Sequence, residues 1–147
     1  MAKVTATFAY IFDGLSSEGY SPLLVPVPVE AGFELFGCSI LPVPISHGSL
    51  KATGYRFGDA AYLTDCSEIP EASRALLQGL DLLIIDALRY SPHPNHFNIE
   101  GALQVVETLR PRRTLLTHLT HEVHHSDGKR LPPGVEFAYD GLTVELP

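Results

Sequence analysis

The order of apolar runs and turns predicts an α/β fold, a mixed sheet with helices on at least one face. Runs at hairpin spacing fill residues 33–64, with turns at Gly37 and at Gly58-Asp59. From Pro70 onward the pattern changes to helix, strand, helix, strand. Between those helices, Leu82-Leu-Ile-Ile-Asp86 is apolar on both faces, which marks an interior strand between helical layers.

The elements follow in order. Thr5 to Phe12 is apolar and aromatic without a strong helix period; Asp13-Gly14 turns it, and Ser16 to Ser21 is loop. Leu23 to Val29 contains Pro26 and Pro28, which remove ladder donors, so it reads as an edge strand or extended segment. Phe33–Phe36 and Cys38–Ile45 form a hairpin about Gly37, and Pro42 and Pro44 place the second strand at an edge. Lys51–Phe57 pairs with Ala60–Thr64. A helix is expected over Pro70–Leu80, with Asp65 or Ser67 as a possible cap. Asn98 caps a second helix, Ile99–Leu109, whose Ala102, Val105, Val106 and Leu109 share one face. Thr114–Thr117 is a short strand, and a polar helix is expected around Glu122–Lys129. Val135–Ala138 and Leu142–Leu146 read as a closing hairpin through Asp140-Gly141.

At 147 residues the chain reads as a single domain, 1–147, with length enough for a core. A formal charge of −7 argues against a nucleic-acid groove, yet leaves room for a small anionic substrate if a metal supplies positive charge. Cys38 and Cys66 have neither C-x-x-C spacing nor a disulfide framework, so they read as reduced thiols of a cytoplasmic protein. No run approaches the ~20 apolar residues of a membrane span, and Met1–Thr7 lacks the pattern of a signal peptide.

Three strands end in a side chain able to bind metal: His47, Asp65 and His118. In α/β architectures functional residues gather where strands end, and imidazoles with a carboxylate suit zinc, manganese or iron. The simpler alternative for each is a satisfied hydrogen-bonding residue or a helix cap. In Tyr90-Ser-Pro-His-Pro-Asn-His-Phe-Asn98, two prolines stiffen a turn that holds His93 and His96 before a helix start, where a histidine can meet a phosphate or protonate a leaving oxygen. The alternative is a solvated surface loop. His124 and His125 read as solvated.

Five motifs then occur in order: Pro42-Val-Pro-Ile-Ser-His-Gly48, Tyr62-Leu-Thr-Asp65, His93-Pro-Asn-His-Phe-Asn98, Leu115-Leu-Thr-His-Leu-Thr-His121 and Phe137-Ala-Tyr-Asp-Gly-Leu142. Together they resemble the second half of a metallo-β-lactamase-fold hydrolase of αββα type. Within that superfamily the likeness is to the cyclic ribose-phosphate phosphodiesterase group, with ribonuclease Z as a relative. The resemblance implies a phosphodiesterase that uses two divalent ions, zinc or manganese, to hold a hydroxide. His47 would bind one ion, His118 the other, and Asp65 would bridge them. His96 would be the catalytic residue outside the metal shell, contacting phosphate or donating a proton. Asp86 and His121 would support the ligands from behind.

The family's H-x-H-x-D-H signature is absent from this sequence; His118 and His121 are three apart, and no histidine pair is followed by Asp-His. The expectation is therefore the C-terminal half of such a fold, carrying part of the site. Metal would be weakly bound or absent in the isolated chain. The substrate would be a small phosphodiester, with no membrane or nucleic-acid partner, and the chain would pair with a complementary N-terminal half or with itself. The reading from another class is a non-catalytic half-domain that survives by such association.

Overall fold

The computed structural model describes residues 2–12, 24–29 and 31–145, and the chain divides into two compact units, Met1–Glu30 and Ala31–Pro147. In the smaller unit, α1 (Ala2–Thr7) and α2 (Ala9–Phe12) are helical despite the weak period. Residues 24–29 are in no strand, because Pro26 and Pro28 offer no N–H to a ladder. The expected turn at Asp13-Gly14, the loop Ser16–Ser21 and Leu23 lie outside the described residues.

The larger unit is built on a seven-stranded sheet whose strands lie side by side in chain order. They are β1 (Phe33–Leu35), β2 (Cys38–His47), β3 (Leu50–Phe57), β4 (Ala60–Leu63), β5 (Leu82–Asp86), β6 (Arg113–Thr117) and β7 (Val135–Phe137). The first four pair antiparallel as hairpins, and β4 to β7 pair parallel. Pro42 and Pro44 are accommodated because β1 pairs only with Cys38–Ile40. The outer side of β2 is next met, among the described residues, by a bridge from Ser46 to Glu68.

The strand directions place the site. β2 runs antiparallel to β3, and β3 antiparallel to β4, so β2 runs with β4. β5 and β6 run parallel to β4. The C-terminal ends of β2, β4, β5 and β6 therefore share one edge, and His47, Asp65, Asp86 and His118 stand at or just beyond those ends.

One sheet face buries Val43, Ile45, Leu63, Leu83, Ile85 and Leu116 against the apolar side of α4 (Ile99–Leu109). Asn98 caps α4 as expected, its Oδ1 accepting from Gly101 N at 2.9 Å. The other face packs Ala60, Leu82 and Leu115 with Leu142 and Val144.

Three expectations are corrected. The helix expected over Pro70–Leu80 is only α3 (Glu71–Ala75), and neither Asp65 nor Ser67 caps it. Its end tightens through bonds from Leu76 N to Ser73 O and from Leu77 N to Arg74 O, before Gly79 turns the chain at φ 69° toward β5. The polar helix expected near Glu122–Lys129 is a 3-10 helix over His125–Arg130, in keeping with the poor α propensity of its Ser-Asp-Gly centre. The closing hairpin does not form among the described residues, which end at Glu145. β7 pairs parallel to β6, while Leu142 and Val144 pack on the sheet face and gain apolar burial instead of a ladder.

Candidate metal centre

His47 is fixed from both sides. Ser67 Oγ accepts from Gly48 N at 2.9 Å and donates to Ser46 O at 3.2 Å, so the backbone flanking His47 is clamped to the segment after β4. His96 is set by the loop between β5 and α4. That loop is tied down by Phe97 N to Cys66 O (2.7 Å), Leu88 N to Phe97 O (2.9 Å) and Ile99 N to Arg89 O (3.0 Å). Asn98 Nδ2 adds a bond to Tyr90 O at 3.0 Å.

Asp65 and His118 follow β4 and β6 in left-handed backbone, at φ 55° and 61°. Asp and His tolerate this region better than most residues, but it costs each of them about 1 kcal/mol or more relative to glycine. Two strained residues at the same sheet edge, each bearing a ligand-type side chain, point to a use for those side chains. Asp65→Gly is therefore expected to be more stable than Asp65→Ala by about 1 kcal/mol, although both lose the carboxylate. Urea unfolding of the two variants measures the difference; equal midpoints would deny the strain.

The side chains converge. Ligand atoms of His47, Asp65 and His96, all half-buried, lie within 4.8 Å of one another. His47 Nε2 and His96 Nε2 are 3.2 Å apart. The ring of His96 is stacked with that of His118 at a centroid distance of 4.9 Å, and the ring of His93 is tilted to it at 5.1 Å. The expectation had His118 among the ligands and His96 beside them; the tightest group of donors here includes His96, with exposed His118 against its ring. His121 is exposed, and no contact among the described residues joins it to the group.

Asp86 lies behind His96. Its Oδ2 accepts from Cys66 N at 3.2 Å and is 2.9 Å from His96 Nδ1. Full burial pushes its carboxyl up to about 7, with the charge of Asp65 acting in the same direction and the Cys66 N–H opposing it. Burial, followed by the nearby His47, lowers the pKa of His96. In the neutral tautomer that donates Nδ1–H to Asp86, His96 presents the lone pair of Nε2 toward His47. A carboxylate holding one imidazole nitrogen while the other faces a donor cluster is the usual support of a metal-binding histidine. Two donors ~2.1 Å from one ion at a tetrahedral angle stand ~3.4 Å apart, close to the observed separation. Among the described residues, the buried Asp86 Oδ1 has no hydrogen-bond partner. The residues present thus fit a divalent cation.

Residues 1–119 match the family model described as the β-lactamase superfamily domain. The chain belongs to that family. Among solved structures, this β-lactamase superfamily domain is similar to a diphosphatase from the PhnP family, with 39% identity and a TM-score of 0.86 over 98% of this chain and 54% of that one. The short form of human tRNase Z, at 18% identity and a TM-score of 0.61, covers 78% of this chain and 46% of that one and shares the fold. With these likenesses, the seven-stranded mixed sheet is a metallo-β-lactamase-like fold. The domain is also 34% identical over 122 residues to a protein of Porphyromonas gingivalis (strain ATCC BAA-308 / W83) named octanoyltransferase, covering 81% of this chain and 25% of that protein. It spans about half the length of the diphosphatase and a quarter of the octanoyltransferase. No helix among the described residues is long and apolar enough to cross a membrane.

Sequence reasoning missed Cys66 and Ser67 as organisers of the site. Both act through backbone contacts or local hydroxyl bonds that no motif encodes; their only signal was adjacency to Asp65.

Proposed function

We propose that this domain carries half of the site of a metal-dependent hydrolase acting on a phosphodiester or related phosphoanhydride, in the cytoplasm. The observation that carries this reading is the meeting of His47, Asp65, His96 and His118 at one sheet edge, two of them in strained backbone. The 39% identity to a diphosphatase supports the substrate class. His47, Asp65 and His118 would hold two divalent ions, zinc or manganese, with Asp65 placed to bridge them. Bound ions would supply Lewis acidity toward the phosphoryl group. His96, steadied at Nδ1 by the Asp86 carboxylate, would have to take up a second proton at Nε2 and, as the imidazolium, pass it to the leaving oxygen, and the rigid loop 87–98 would keep that atom in place.

A second assignment has its own observation. The 3.2 Å between the Nε2 atoms of His47 and His96 suits two ligands of one ion, which would make His96 a ligand and leave His118 to face substrate. Metal content, measured with a complementary segment bearing H-x-H-x-D-H present, separates the two. The first assignment expects His118→Ala to lose metal and His96→Ala to keep it; the second expects the reverse.

Three protein ligands shared by two ions leave each ion short of its coordination number, and the H-x-H-x-D-H signature is not in this sequence. Further donors would come from another polypeptide segment, in a complementary half or a second copy. The 147-residue chain alone is therefore expected to bind zinc or manganese weakly and lose it on dialysis against a chelator. Metal retained at one or more equivalents, read by native mass spectrometry, would show that the missing ligands are replaced within this chain or its oligomer.

A further inference from the structure

The two imidazoles that stack at the site stand on different segments. His96 is on the loop 87–98 after β5, and His118 opens the segment that runs from β6 to the 3-10 helix His125–Arg130. Three links join these segments. Thr120 N bonds to Leu88 O at 2.8 Å. Arg89 Nη1 lies 3.8 Å from Glu122 Oε1. Tyr90 OH donates to Asp127 Oδ2 at 2.7 Å. Of the two side-chain links the last is the stronger, because a phenol donating to a carboxylate makes a short, charge-assisted bond. The Arg89 pair is long, and buried Arg89 Nε has no hydrogen-bond partner among the described residues.

Both ends of the Tyr90–Asp127 bond are anchored. Tyr90 O accepts from Asn98 Nδ2 at 3.0 Å, and Asn98, two residues after His96, caps α4. Asp127 N bonds to His124 O at 2.9 Å, and Arg130 Nη1 stands 3.8 Å from Asp127 Oδ1. Tyr90 is 47% exposed, so losing its hydroxyl costs the fold little and the effect is local. We infer that Tyr90 and Asp127 are positioning residues, whose bond holds the His96 loop against the segment after His118 and so sets the spacing of the two imidazoles. The value of that spacing for turnover rests on the hydrolase reading; the spacing itself does not.

The direct measurement is the nuclear Overhauser effect between the rings of His96 and His118 in the full chain without metal. The parent should show it, since the centroids are 4.9 Å apart. Tyr90→Phe, which keeps the ring and removes only the hydroxyl, should weaken it. Asp127→Ala should do the same, and the double variant should lose no more than either alone, because both act through one bond. Asp127→Asn, whose amide oxygen still accepts from the phenol, should restore most of the signal. Urea midpoints should stay at the parent value throughout, and Tyr55→Phe, an exposed tyrosine on β3, should change nothing. The bond to Asp127 also raises the pKa of the Tyr90 phenol, with Arg130 opposing, so Asp127→Ala should let that phenol titrate lower. With a complementary segment bearing H-x-H-x-D-H present, and a phosphodiester whose leaving group is an alkyl alcohol, Tyr90→Phe should lower kcat about tenfold and leave KM nearly unchanged.

An unchanged ring-to-ring signal in Tyr90→Phe and Asp127→Ala, losses that add in the double variant, or parent kcat in Tyr90→Phe would each overturn the positioning role. A mixture without turnover whose ring signal responds as expected would sink the hydrolase reading and leave the positioning role standing.

Discussion

Asp65→Ala is expected to lower phosphodiester turnover by about three orders of magnitude or more in a reconstituted site, because it removes the only carboxylate in the group of His47, Asp65 and His96. Reconstitution here means this chain together with the part of the PhnP-family diphosphatase that it does not span. Each tenfold loss of rate is ~1.4 kcal/mol of barrier, so the expected loss is ~4 kcal/mol, within reach of one bridging charge in a partly desolvated site. The fold should survive. Asp65 is half-buried, and its carboxylate adds repulsion to buried Asp86. Circular dichroism of the variant should match the parent while turnover of a chromogenic phosphodiester disappears. Full activity in Asp65→Ala would remove the bridging role.

The second large effect concerns His96. In the same mixture, assayed on a phosphodiester whose leaving group is an alkyl alcohol and so needs a proton, His96→Ala should cost ~10²–10⁴ in turnover, the usual contribution of a positioned proton donor. The loss should appear in kcat more than in KM, since the proton moves only as the bond to the leaving oxygen breaks. His96→Ala also leaves Asp86 buried without its imidazole partner, so some loss of stability accompanies it. His96→Gln keeps a polar partner within reach of Asp86 and separates the two effects. If it restores stability without restoring turnover, the proton role stands; if it restores both, His96 serves only to satisfy Asp86.

Much of this arrangement was legible in the sequence. Hairpin turns at Gly37 and Gly58, the doubly apolar Leu82–Asp86 and the Asn98 cap each depend on local chemistry, and each formed as read. The strand directions, which the sequence reading left at a mixed sheet, bring His47, Asp65 and His118 to one edge. What stayed hidden depends on distant contacts. The positive φ of Asp65 and His118 has no composition signal, because neither is glycine. The bond of Asp86 to His96 joins β5 to a loop whose path is set by Cys66 O. The polar run at 125–130 and the 142–145 tail lost their expected forms to local propensity and to apolar burial on the sheet.

The central claim, half of a metal hydrolase site, is tested most directly by one comparison of rates on bis(p-nitrophenyl) phosphate in the presence of manganese or zinc. The 147-residue chain alone should stay near background, and addition of a segment bearing H-x-H-x-D-H should produce turnover that a chelator abolishes. Turnover by the chain alone at ordinary enzyme rates of ~1–10³ s⁻¹ would contradict the account. So would a mixture that binds metal yet never exceeds background.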